Sequence, residues 1–208
     1  MQKRYLIPCL ILVFFIFFTG CSSPQSSQPV PASTSIPAVI ATPESRAVTV
    51  PLSELALQLS DMNSDYRIKD RSVIPFQEVD QFKRDIGWKE GYFVHFIRLD
   101  KDKDDQTIVR QSINIFPLEN INKVFKTEKE EMKSRANVSS TFYEIPFPMV
   151  GDMSIAFRES QANNPYESVV YTVIFSKKNV YEKIIMTGST TDYEALKTLT
   201  QRAAEKIL

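Results

Sequence analysis

Among its 208 residues this chain has one histidine, two cysteines, one tryptophan and five glycines, and each scarcity closes a route to function. With a single histidine, His95, no histidine-rich metal site can form. Any Ser-His-Asp arrangement would have to run through the same residue, in "YFVHFIRL", where it shares a strand face with Phe93 and Ile97 and reads as a hydrogen-bonded structural histidine. The pattern Gly-x-Ser-x-Gly of a nucleophile elbow occurs nowhere. Five glycines supply no Gly-rich phosphate loop, so P-loop and Rossmann nucleotide chemistry is not expected. The chain is read as having no catalytic residue, no metal ligand and no cofactor.

Charge of one sign is also lacking. The 25 basic residues match the 25 acidic ones, and the dense charged segment "DKDKDD", residues 100 to 105, mixes the two. Nucleic-acid binding calls for a basic patch or stripe, so no nucleic-acid partner is expected. Asp100, Asp102 and Asp104 imitate the alternate carboxylates of an EF-hand loop, but Asp105 stands where that loop needs glycine and Gln111 where it needs a bidentate glutamate. The segment is expected to be a solvated hairpin tip.

What is present is clearest at the amino terminus. Lys3 and Arg4 precede an uncharged apolar run from Tyr5 to Phe18, the layout of an export signal. The run is shorter than the roughly 20 residues a spanning helix takes, and Ser and Pro follow it where a stop-transfer flank would be basic. "FTGC", Phe18 to Cys21, resembles the lipobox of prokaryotic lipoproteins, with Phe18 where an aliphatic residue is usual. The resemblance implies that residues 1 to 20 are a lipoprotein signal peptide and that Cys21 is acylated as the first residue of the mature chain. It places the protein at the extracytoplasmic face of a cell membrane, held by lipid. The same residues also allow an ordinary signal peptide with a coincidental cysteine, or a retained membrane anchor. Cleavage before Cys21 discards Cys9 and leaves one acylated sulfur, which removes disulfides and Cys-based zinc or iron–sulfur sites.

Residues 21 to 50 are rich in Ser, Thr, Pro and Ala and nearly free of charge, a composition that cannot offset its own ordering entropy. Prolines at 24, 29, 31, 37 and 43 bias this disordered tether toward polyproline-like extension. At about 3.1 Å per residue its reach is roughly 90 Å.

From Pro51 to Leu208 the periodicities predict a single α+β domain, an antiparallel sheet packed by helices in an α/β/α sandwich-like arrangement. Alternating Leu55, Leu57 and Leu59 suggest a first strand, with a short helix capped by Ser53 as the other reading; "YRIKDRSV" suggests a second strand. Pro75 opens a helix with Phe76, Val79, Phe82 and Ile86 on one face and Gly87 to end it. "WKEGYFVHFIRL" and "TIVRQSINIF" form a long hairpin, and a helix follows from about Leu118 to Arg135. "TFYEI" is a short edge piece, "MSIAFRES", "SVVYTVIFSK" and "VYEKIIMTGS" are three further strands, and Asn179 marks the tight connection between the last two. "TDYEALKTLTQRAAEKIL" closes the chain as an amphipathic helix with Thr191 or Asp192 as its N-cap.

This order of elements, with "GDMSIAF" and the final hairpin and helix, resembles the Mog1/PsbP-like sandwich and related extracytoplasmic lipoprotein and sensor-type domains. The resemblance implies a binding, assembly or sensing module. The function expected is a non-catalytic, lipid-anchored cell-surface module that meets an envelope protein or a small ligand; the alternative is an extracytoplasmic hydrolase built on a carboxylate pair. Asn137 heads an Asn-x-Ser sequon, a glycosylation acceptor where the machinery exists. Trp88, Tyr92, Phe142, Tyr143, Phe147 and Tyr166 are candidates to edge an apolar pocket.

Overall fold

A computed structural model describes residues 47–99, 106–139, 141–161, 168–188 and 191–208. Cys21, the tether up to residue 46, the charged tip at 100–105 and Tyr166 lie outside the described residues. Among the described residues seven strands make one sheet in the order β1-β2-β3-β7-β6-β5-β4, every neighbouring pair antiparallel. They are β1 (Tyr66–Val73), β2 (Glu90–Leu99), β3 (Gln106–Ile115), β4 (Phe142–Ile145), β5 (Met153–Gln161), β6 (Ser168–Lys177) and β7 (Val180–Gly188). The helices are α1 (Leu52–Leu55), α2 (Gln81–Asp85), α3 (Ile121–Val138) and α4 (Tyr193–Lys206).

Alternation along the strands sends two sets of side chains to two cores. Phe96, Val109, Val173, Ile184 and Met186 meet Leu55 and Leu57 of the α1 region and Leu196, Leu199, Ala203 and Ile207 of the α4 region. On the opposite face Phe157, Ile174 and Tyr181 meet Val124 and Phe125 of α3, together with Trp88 and Phe116. Helices on both faces explain why β6 is apolar at consecutive positions, as the predicted α/β/α arrangement requires. Each large aliphatic or aromatic side chain fully buried here contributes about 1.5–3 kcal/mol, and Phe96, Phe157, Phe175 and Ile184 are all completely enclosed.

Two local expectations change. Leu52–Leu55 is one helical turn and Leu59–Asp61 a 3₁₀ turn, so the Leu55/57/59 alternation is no strand. Instead Leu57 N–H donates to Gln111 Oε1 at 2.8 Å, pinning the segment across the sheet. The helix expected from Pro75 to Ile86 is broken in two: Phe76–Glu78 is a 3₁₀ turn, Val79 is extended, and α2 restarts at Gln81. Asp80 causes the restart, because its carboxylate accepts the Lys83 N–H at 2.8 Å as an N-cap. Gly87 follows α2 at φ +83°, a conformation that disfavours side chains. Asn179 does more than close the β6–β7 turn. It is buried, its Oδ1 accepts Val48 N–H at 2.7 Å and its carbonyl accepts Phe116 N–H at 3.1 Å, so it ties three segments together.

Candidate functional site

Helix α4 begins at Asp192, whose side chain accepts the N–H groups of Glu194 and Ala195 at 2.9 and 3.2 Å. From there Ala195, Thr198, Leu199 and Arg202 recur at i, i+3, i+4 and i+7, which puts them on one stripe. That stripe forms a wall of a cleft of about 200 Å³. The opposite wall is the segment from Asp61 to Tyr66, and the floor includes Arg98 and Met186. Tyr66 and Arg98 face each other in register across β1 and β2, and the guanidinium lies 5.3 Å from the phenol ring centroid. Burial raises the Tyr66 phenol above its ordinary value, with Arg98 pulling the other way, so it stays a neutral O–H donor.

The acids of this cleft are committed. Asp61 Oδ2 accepts Gln58 N–H at 2.8 Å and pairs with Lys206 at 3.0 Å, while Asp192 caps α4. Arg202 donates to the Asp61 carbonyl, which joins the two walls. The cleft can therefore orient a small polar molecule through hydroxyl and guanidinium donors beside the apolar side chains of Met62, Met186 and Leu199; it does not present two carboxyls poised for proton transfer.

Glu128, Glu182 and His95 each sit in a defined hydrogen-bonded setting. Between α2 and α3 lies a cleft of about 420 Å³ in which Lys83 and Lys183 each reach Glu128 at 3.0 Å and Lys83 also reaches Asp80 at 3.0 Å. Burial pushes Glu128 up, but the two ammonium groups outweigh it and hold the carboxyl below its ordinary value. On β7, Glu182 is completely enclosed under α4, and burial raises its pKa to about 8. Gln111 Nε2 donates to it at 2.7 Å, and Lys206 of α4 pulls weakly in the other direction. His95 donates from Nδ1 to Asp70 at 2.6 Å and lies 4.9 Å from the Phe93 ring. Burial lowers its pKa, with Arg110 and Lys69 adding to that and Asp70 opposing it, so the ring is neutral near pH 7 and links edge strand β1 to β2.

The structure does not gather the sequence candidates into one pocket. Asn137 is exposed on the last turn of α3. Trp88 is core, its Nε1 donating to Asn114 Oδ1 at 2.9 Å, and Phe142 stacks on Phe157 at 5.2 Å. Tyr92 packs on the α4-side core, while Tyr143 and Phe147 lie near the β4 edge. Asp192 enters the cleft as the helix cap the sequence offered, whereas Tyr66, Arg98 and Arg202 were not singled out; of these three, the i, i+3, i+4, i+7 stripe of α4 carries Arg202. Among the described residues no three His, Cys, Asp or Glu side chains cluster to hold a metal, and no helix is long and apolar enough to cross a membrane.

Comparison with known proteins places the fold. No family model matches the sequence, and no curated protein matches it either. Among solved structures, the extracellular domain of PknH from Mycobacterium tuberculosis is similar, with a TM-score of 0.56 at 12% identity, over 74% of this chain and 93% of that one. An uncharacterized protein from Mycobacterium smegmatis, the Rv0999 ortholog, aligns with a TM-score of 0.45 at 10% identity, over 76% of this chain and 96% of that one. The first likeness is one of fold: a single α+β architecture covering nearly the whole of that domain.

Proposed function

We propose that this chain is a lipid-anchored extracytoplasmic binding module that holds a small polar ligand in the cleft between α4 and the Asp61–Tyr66 segment. The observation that carries the reading is the commitment of the cleft's acids to Lys206 and to the α4 amides, beside a neutral Tyr66 and the Arg202 guanidinium. Such a site orients a ligand and lacks an acid and a base to transform it. Glu182, whose raised pKa would suit a general acid, is enclosed beneath α4, which argues against the carboxylate hydrolase. The extracytoplasmic side is supported by the export-type layout around Lys3 and Arg4 and by a fold shared with an extracellular domain. In this reading Cys21 carries the lipid, and residues 22 to 50 give the domain its reach.

The full chain, extracted from its own membrane in mild detergent, is expected to retain a small non-covalent adduct in native mass spectrometry. Ala195→Trp, which fills the cleft, is expected to remove it. An adduct-free wild type, or one whose adduct survives Ala195→Trp, contradicts the cleft as the ligand site.

A further inference from the structure

On the other flank of α4, toward the β4 edge, the same sheet face carries a row of polar aromatics. Tyr143, Arg158 and Tyr171 stand in register across β4, β5 and β6. With neighbouring strands about 4.8 Å apart, the row runs about 10 Å across the sheet. Tyr193, in the first turn of α4, sets its ring 5.3 Å from that of Tyr171, and Phe147 meets Tyr193 edge-on at 6.3 Å. The Tyr193 hydroxyl donates to the Pro146 carbonyl, which fixes the segment bearing Phe147. Four rings thus make one shelf, with Tyr143 42% exposed and the other three half-buried.

A cation sits within the shelf. Arg158 Nη1 donates to Tyr143 Oη at 2.6 Å and to Ser160 Oγ at 2.8 Å, its guanidinium carbon lies 5.7 Å from the Tyr143 ring centroid, and the Tyr171 phenol also bonds to it. These partners are two phenols and a serine hydroxyl. The other cation there, Lys197, lies 5.0 Å from the Tyr193 ring but already pairs with Glu194 at 2.6 Å. Arg158 is therefore the positive charge of the shelf that has hydroxyl partners and no carboxylate among the described residues.

We propose that this shelf binds an acidic saccharide, its sugar rings lying on Tyr143 and Tyr171 and a sugar carboxylate meeting Arg158. A sugar ring offers an apolar C–H face and hydroxyl edges, which matches a tyrosine's flat apolar body and polar tip. A guanidinium presents a fixed fork of donors suited to a carboxylate. An acidic peptide fits less well, because extended peptides are held through unpaired backbone groups at a sheet edge, whereas here ring planes on the sheet face are the contact surface. The site is separate from the cleft and does not depend on it.

The test uses the full chain in detergent and isothermal titration with oligogalacturonate hexamer, hyaluronan hexasaccharide, neutral cellohexaose and poly-glutamate. At least one carboxylated oligosaccharide is expected to bind tenfold or more tightly than cellohexaose and poly-glutamate. Arg158→Gln should bring it to the cellohexaose level, and Tyr143→Leu, at an exposed position that leaves the fold intact, should weaken it tenfold. Ala195→Trp should leave it unchanged, which separates this site from the cleft. Failure of both acidic saccharides to bind, equal binding of poly-glutamate, or indifference to Arg158→Gln overturns the proposal.

Discussion

Glu128 and Glu182 lie on opposite sides of one sheet and resolve the cost of burial in opposite ways. Glu128, on α3, stays ionised because Lys83 and Lys183 each approach it at 3.0 Å. Glu182, on β7, has Gln111 as its hydrogen-bond partner and Lys206 as a weak counter-charge, so burial keeps it protonated up to about pH 8. Its Oε1 finds no partner among the described residues. The α3 side is held by a charge network that opens into a cleft, the α4 side by a neutral relay sealed from solvent. One carboxyl is ionised between two ammonium groups, and the other is enclosed.

The contrast is sharpest against pH. Glu182 has a folded pKa above its unfolded one, so its contribution is fully present below about pH 4.5 and is lost as pH climbs toward about 8. Glu128 has a folded pKa below its unfolded one, so its contribution is present above the ordinary glutamate range and is lost as pH falls through it. At 1.36 kcal/mol per unit, the Glu182 effect is on the order of 4 kcal/mol between pH 5 and pH 9. Urea unfolding should show stability declining across that range, and Glu182→Gln should flatten the decline while leaving stability at pH 5 nearly unchanged. A wild-type decline that survives Glu182→Gln would break the comparison.

Removing partners sharpens it further. Glu128→Ala leaves two half-buried ammonium groups without their shared carboxylate and should cost about 3 kcal/mol at pH 7. Gln111→Ala strips both Glu182 and the Leu57 amide of a buried partner and should cost about 2 kcal/mol, with α1 losing amide-exchange protection first. Lys183→Met, which leaves Glu128 with Lys83, should cost about 1 kcal/mol and raise the pH at which acid destabilises the domain.

Much of this was legible in the sequence, because strand parity is local. The alternation that sends Ile184 and Met186 into the α4-side core also sends Glu182 there, and Lys183 to the α3 side. The long hairpin, α3, the three later strands and α4 with its Asp192 cap follow from the same kind of pattern. The stretch around Val79 did not, since four apolar residues at helical spacing concealed the competing cap at Asp80, and Phe76 ends 55% exposed beside Trp88. The cleft was illegible for another reason. Its walls, near Asp61 and near Arg202, are 141 residues apart, and their meeting depends on the tertiary placement of α4. The tyrosine shelf likewise appears only once β4, β5 and β6 are in register.

The reading of this chain as a tethered module at the outer face of a membrane rests on Cys21, and the intact mass of the native protein tests it directly. The account predicts a chain beginning at Cys21 and carrying added acyl mass, with Cys21→Ser releasing the protein from the membrane fraction. A native mass that retains residues 1 to 20 without acyl groups would contradict it.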